Sequence, residues 1–180
     1  MNLYQSLNVA FFGLTLAAVF GGLNKLQSPI GEIPVALWIF VAFLLLLRLK
    51  MCLDDHKYFG TAKTRTTPFK VGFIVGVASW ILWTLSAWAI PVIQTAYFFA
   101  GLAITVSTLW IVVTALRKGG AYREQYIWIA TNAAFVMLLW AAYRRDTLQK
   151  DEVTWGVLSA AVLLVIADMI FSKSVPELEQ

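Results

Sequence analysis

The sequence predicts an all-α integral membrane protein: a bundle of six transmembrane helices with both termini in the cytoplasm. Three observations predict it. Six apolar runs follow one another along 180 residues, each close to the ~20 residues a helix needs to cross a bilayer. Hydrophobic residues make up 60% of the chain and charged residues 13%, against about 45–50% and about 25% in soluble domains. The Lys and Arg residues gather at the ends of the apolar runs, where they orient a chain and meet lipid headgroups. That placement, at a net charge of +4, points to a lipid bilayer as partner and not to nucleic acid.

The first run covers about 3–23. Its opening, MNLYQSLN, has no basic region and no small-residue cleavage site after it, so it reads as a retained helix and not a signal peptide. The polar Gln5, Ser6 and Asn8 make it the weakest of the six. The second run covers about 33–53, with Pro34 where a first-turn proline is tolerated. The third (71–90) carries no charge, and Pro91 leaves almost no loop before the fourth (92–116), so these two form a tight antiparallel hairpin. The fifth covers 126–143 and the sixth 153–171. Backbone groups in lipid need partners within their own segment, which leaves helices as the spanning structure. A single domain over 1–172 and a short cytoplasmic tail over 173–180 result.

The polar stretch 48–70 holds six of the fourteen Lys and Arg residues and the only His. With six spans, one side of the membrane receives Arg48, Lys50, Lys57, Lys63, Arg65, Lys70, Arg117, Lys118, Arg123 and Lys173, and the other receives Lys25, Arg144, Arg145 and Lys150. Ten against four places the first side in the cytoplasm of a multi-pass inner-membrane protein. Trp38, Trp88, Trp140, Tyr143 and Trp155 fall at the outer ends, and Tyr58, Phe69, Tyr122, Tyr126 and Trp128 at the inner ends, as interfacial belts require. Trp80 and Trp83 fall near the middle of a span and do not fit a belt.

Small residues recur four apart: Gly13, Ala17 and Gly21; Gly72 and Gly76; Ala96 and Ala100; Gly156 and Ala160. Such spacing lets helix backbones approach closely, within the bundle or between subunits. There is no internal repeat. The lone Cys52 forms no intrachain disulfide and reads as a small apolar filler.

Four groups of residues carry the candidate chemistry. Asp54, Asp55, His56 and Lys57 offer carboxylates and an imidazole, but adjacent helical residues point about 100° apart. No further ligand stands at a metal spacing, so this group reads as a solvated helix end with Lys50–Asp54 and Asp54–Lys57 ion pairs, or as a docking surface for a partner. Asp168 is the only acid well inside an apolar run, and a carboxylate in lipid is a functional candidate by default. Asn8, Arg48, Ser79, Thr114, Asn132 and Asp168 share the predicted cytoplasmic half; facing one another they form a polar pocket with an Arg48–Asp168 ion pair, and otherwise they are interhelical glue. Trp80 and Trp83 share a helix face and either wall a ligand or cation site or fill the core.

No P-loop, GxGxxG, nucleophile elbow or paired-His helix is present, so neither a cofactor nor a metal is predicted. The leading expectation is a channel or transporter for an ion or small solute, with Asp168, Asn132, Arg48, Asn8, Trp80 and Trp83 along its pathway. The alternative is a non-catalytic accessory or scaffold subunit, a homo-oligomer or part of a larger membrane complex, docking through the small-residue faces and the basic 48–70 loop. An intramembrane enzyme using Asp54, Asp55 and His56 ranks third.

Overall fold

The computed structural model describes residues 2–27, 33–61, 67–117, 123–146 and 152–171. They form six helices: α1 (Leu3–Asn24), α2 (Val35–Thr61), α3 (Thr67–Trp88), α4 (Ile93–Arg117), α5 (Arg123–Asp146) and α6 (Glu152–Phe171). The first five are long and apolar enough to cross a membrane, while the apolar part of α6, Thr154–Ile170, is shorter. Lys63, Arg65, Lys118, Tyr122, Lys150, the side chain of Thr114 and the tail 173–180 lie outside the described residues.

The helices are apolar on their outer faces as well as inside. Phe20, Ile74, Phe98, Leu109, Met137, Leu163 and Ile170 are all exposed on the outside of the bundle. A surface of this kind suits hydrocarbon, and the chain reads as a membrane protein.

Neighbouring helices form a closed ring in the order α1, α3, α4, α5, α6, α2, with α2 also touching α3. α2 is the most central element, with half of its apolar span buried against 22–33% for α1, α3, α4 and α5. Its Phe40, Phe43, Leu44 and Leu47 pack into the main core with Trp83, Ala100, Phe135 and Val165 from the surrounding helices. Inward positions on the outer helices follow a 4–3 alternation, as in Ala96, Ala100 and Ala103 on α4, Phe135, Leu139 and Ala142 on α5, and Leu158, Ala161 and Val165 on α6. This is the spacing that keeps one stripe of a helix against its neighbours.

The α3–α4 hairpin is as tight as Pro91 implies. Only residues 89–92 separate the two helices, and Ser86 Oγ crosses the hairpin to donate to the Ala96 carbonyl at 2.8 Å. Trp38, Trp88, Trp140 and Trp155 are exposed, with Lys25 Nζ 3.3 Å from the Trp88 ring centroid and Arg144 over Trp140 at 5.1 Å. These aromatic–cation pairs mark the end of the bundle opposite the polar residues.

Two expectations change. α2 does not stop near residue 53 but continues to Thr61, so Asp54–Lys57 lies within a helix and not in a loop. At 1.5 Å per residue its 27 residues reach about 40 Å, roughly 10 Å beyond the hydrocarbon thickness. The extension is held by side chains of α1, described below. Second, the small-residue stripe of α1 is not a bundle contact throughout. Gly13 and Ala17 are exposed, and a Cβ at Gly13 would meet nothing within 4 Å. The close approach falls one residue along: a Cβ at Gly22 would sit 2.6 Å from the Ala87 carbonyl oxygen. Gly72 and Gly76 do pack inward, against the Trp110 and Trp80 indoles, whereas Gly156 and Ala160 face outward.

Candidate functional site

The polar residues of α1 turn toward α2. Asn2 and Gln5 form a reciprocal cap at the start of α1, and each also donates to α2: Asn2 Nδ2 to the Phe59 carbonyl at 2.7 Å and Gln5 Nε2 to the His56 carbonyl at 3.1 Å. Asn8 Nδ2 continues the ladder to the Cys52 carbonyl at 2.7 Å. Positions 2, 5 and 8 share one helix face, and a carbonyl already bonded within its helix has a second lone pair to offer. Two of the residues that weakened the first run as a sequence signal, Gln5 and Asn8, are therefore among those that fasten α1 to the long end of α2.

Arg48 is fully buried behind this ladder. Its Nη2 donates to Asn8 Oδ1 at 3.2 Å and lies 3.5 Å from the Asn8 carbonyl oxygen, while the guanidinium stacks near Trp80 and Phe12 at 5.8 and 6.0 Å. Trp80 in turn donates from Nε1 to Asp55 Oδ2 at 2.8 Å, so the indole lies between a cation and a carboxylate. Below it, Phe59, Phe69 and Trp80 form a second core cluster packed by Tyr4, Phe11, Tyr58, Phe73 and Val77.

On the other side of α2 lies a cavity of about 140 Å³, lined from α2, α3, α4, α5 and α6. Its polar wall consists of Lys50, Asp54, Asp55, Ser79, Ser107, Asn132 and Asp168, and its aromatic wall of Tyr58, Phe59, Trp80, Trp110 and Trp128. Lys50 Nζ bridges Asp54 at 2.7 Å and Asp168 at 3.1 Å, tying α2 to α6. The Ser79 and Ser107 hydroxyls lie 2.9 Å apart and both reach the Ala103 carbonyl. Trp128 is buried, and its indole N–H has no hydrogen-bond partner among the described residues.

The cavity is the continuation of the core seam. On α4 the inward stripe Ala96, Ala100, Ala103 runs on to Ser107 and Trp110. On α6, Leu158, Ala161 and Val165 run on to Asp168, and on α5, Ala142, Leu139 and Phe135 run back to Asn132 and Trp128. On α3, Ser86 and Trp83 lead to Ser79 and Gly76. The inward faces of α4, α5 and α6 thus change from packed hydrocarbon to Ser, Asn, Asp and Trp at one level, and α3 adds Ser79 there.

Asp54, Asp55, Trp80, Asn132 and Asp168 line this cavity. Arg48 and Asn8 lie behind Trp80 and outside the lining, and Trp83 is fully buried in the main core. The anticipated Arg48–Asp168 pair does not form: Arg48 turns to Asn8, and Lys50, one residue pair further along α2 and about 160° from a shared face with Arg48 by helical geometry, meets Asp168. The Asp54–Lys57 group divides. Asp54 and Asp55 face the cavity, Lys57 is exposed, and His56 contributes its carbonyl to Gln5. Among the described residues no three of His, Cys, Asp and Glu come together as metal ligands; Asp54 and Asp168 converge on Lys50 Nζ, while Asp55 takes the Trp80 N–H. Sequence reading overlooked Lys50, Ser107, Tyr58, Trp110 and Trp128 as wall residues; the 4–3 stripes were the signal that places them.

Comparison with known protein families, curated proteins and solved structures finds no match to this chain.

Proposed function

We propose that the protein is a transporter or channel for a small solute or ion, and that the five-helix cavity is its binding site. The observation that carries this reading is the simultaneous change of three inward stripes, on α4, α5 and α6, from apolar to polar around an open volume. Some of these polar groups also pair, Ser79 with Ser107 and Lys50 with Asp168 across helices, as interhelical contacts do, and Lys50 with Asp54 within α2. Together with Asn132 they border a cavity with aromatic walls, and a few polar groups in an otherwise apolar and aromatic lining are the composition of a small-molecule site.

In this reading all six helices span the cytoplasmic membrane, and both termini lie inside. The excess of Lys and Arg at the cavity end supports that orientation, and it opens the cavity toward the cytoplasm. The outward-facing Gly13, Ala17, Gly156 and Ala160 support a second reading, in which the same bundle docks against another copy or a larger assembly through those flat faces.

The test is Asp168→Asn. The substitution keeps the shape, removes one of the two carboxylates on Lys50 and leaves the Lys50–Asp54 pair in place. Solute flux in reconstituted vesicles should fall at least tenfold, with the thermal unfolding midpoint close to that of the parent. Unchanged flux would remove the cavity from the transport pathway.

A further inference from the structure

We propose that the cavity selects a monovalent organic cation: a primary ammonium on a single-ring apolar body. This rests on the reading of the cavity as a solute site and names the class of solute. Charge is the first ground. Three carboxylates, Asp54, Asp55 and Asp168, face the cavity, and one ammonium, Lys50, does. Arg48 behind Trp80 lies within electrostatic reach of Asp55. Two cations against three anions leave one negative charge for a ligand to balance. In surroundings of low dielectric, such an imbalance favours a singly charged cation over a neutral or anionic solute.

Geometry is the second ground. Lys50 Nζ, held at 2.7 and 3.1 Å by Asp54 and Asp168, shows that this wall accepts a primary ammonium between two carboxylates. The remaining wall is Tyr58, Trp80, Trp110 and Trp128, whose ring faces attract cations and pack flat apolar groups. Size is the third ground. At about 140 Å³ the cavity is close to the ~150 Å³ that accommodates benzene in a protein interior.

A bound ammonium shares or takes over the carboxylates that Lys50 holds. Lys50 therefore acts as the internal competitor that keeps the wall neutralised when no ligand is present.

Three ring-matched probes separate the outcomes: benzylammonium, benzyl alcohol and benzoate, titrated against the full chain in lipid nanodiscs, with empty nanodiscs subtracted for partitioning. Benzylammonium should bind saturably, at least tenfold tighter than benzyl alcohol, and benzoate should not bind. Asp168→Asn should weaken benzylammonium at least tenfold and leave benzyl alcohol within twofold, while Lys50→Met should tighten benzylammonium. Equal affinity for benzylammonium and benzyl alcohol would overturn the cation assignment and leave the cavity as a solute site. Saturable binding of none of the three would overturn both. The probe series on the unsubstituted protein decides the matter even where a variant fails to fold.

Discussion

Asn8→Leu tests how the buried cation of α2 is held. Leucine keeps the branched outline of asparagine and loses both of its side-chain bonds. The bond from Asn8 Nδ2 to the Cys52 carbonyl, 2.7 Å long, is a neutral one and contributes about 1 kcal/mol net. The bond from Arg48 Nη2 to Asn8 Oδ1, 3.2 Å long, involves a charged donor and contributes about 1.5–3 kcal/mol. Only the backbone contact to the Asn8 carbonyl oxygen at 3.5 Å survives, because Arg48 Nε and Nη1 have no partner among the described residues. Asn8→Leu should therefore destabilise the bundle by about 2.5–4 kcal/mol. The cycle is closed with Arg48→Met and with the double variant, in which a mismatched pair is replaced by apolar groups of similar size. The double variant should be far less destabilised than the two single changes together, with a coupling of about 1.5–3 kcal/mol. Reversible unfolding in mixed detergent micelles measures all four corners. A neutral contact between membrane helices averages about 0.6 kcal/mol in such cycles, so a coupling at or below that value would refute the view that Asn8 is the partner of a buried charge.

Other consequences follow from the same contacts. Gly22→Ala places a Cβ 2.6 Å from the backbone oxygen of Ala87, which cannot step aside, and should destabilise by about 1–3 kcal/mol. Gly13→Ala, with nothing within 4 Å, should be neutral or stabilising by up to about 1 kcal/mol; thermal unfolding of the two variants side by side checks both. Trp80→Phe deprives Asp55 of its 2.8 Å donor and should lower stability by at least about 1.5–3 kcal/mol, read from the thermal unfolding midpoint. Gly72→Ala presses a methyl to about 3.0 Å from the Trp110 indole and should displace that wall of the cavity, reducing benzylammonium affinity more than it reduces the unfolding midpoint. Cysteines introduced at Lys57 and after Gln180, in a Cys52→Ser background, should both be labelled from the cytoplasmic side; labelling from opposite sides would contradict the six-span orientation.

The helices were legible because their signal is long and repeated: a run of ~20 apolar residues has few alternatives, and Pro91 dictates the α3–α4 hairpin. The end of α2 was less legible, because Asp54–Lys57 reads as a solvated helix end until Asn2, Gln5 and Asn8 are seen bonded to carbonyls as far along as Phe59. Those are tertiary contacts across more than forty residues of chain, and local composition carries no trace of them. Asn132 and Asp168, grouped by the sequence pattern, line one cavity. Which way each side chain points could not be read from depth alone, and that is why Arg48 was paired with Asp168 when Lys50 occupies that position. The same limit applied to the glycines: spacing marks a flat face, but only the neighbouring helix decides whether Gly22 or Gly13 meets it.

The most direct measurement asks whether water and a small cation reach the seam between the helices. In a Cys52→Ser background, Ser107→Cys puts a thiol on the cavity wall and Leu109→Cys puts one on the outer, lipid-facing surface two residues away. Inside-out vesicles treated with 2-aminoethyl methanethiosulfonate should label Ser107→Cys rapidly and Leu109→Cys hardly at all, with benzylammonium protecting the former. Equal resistance at both positions would mean a closed interior, and would contradict a cytoplasm-facing solute site.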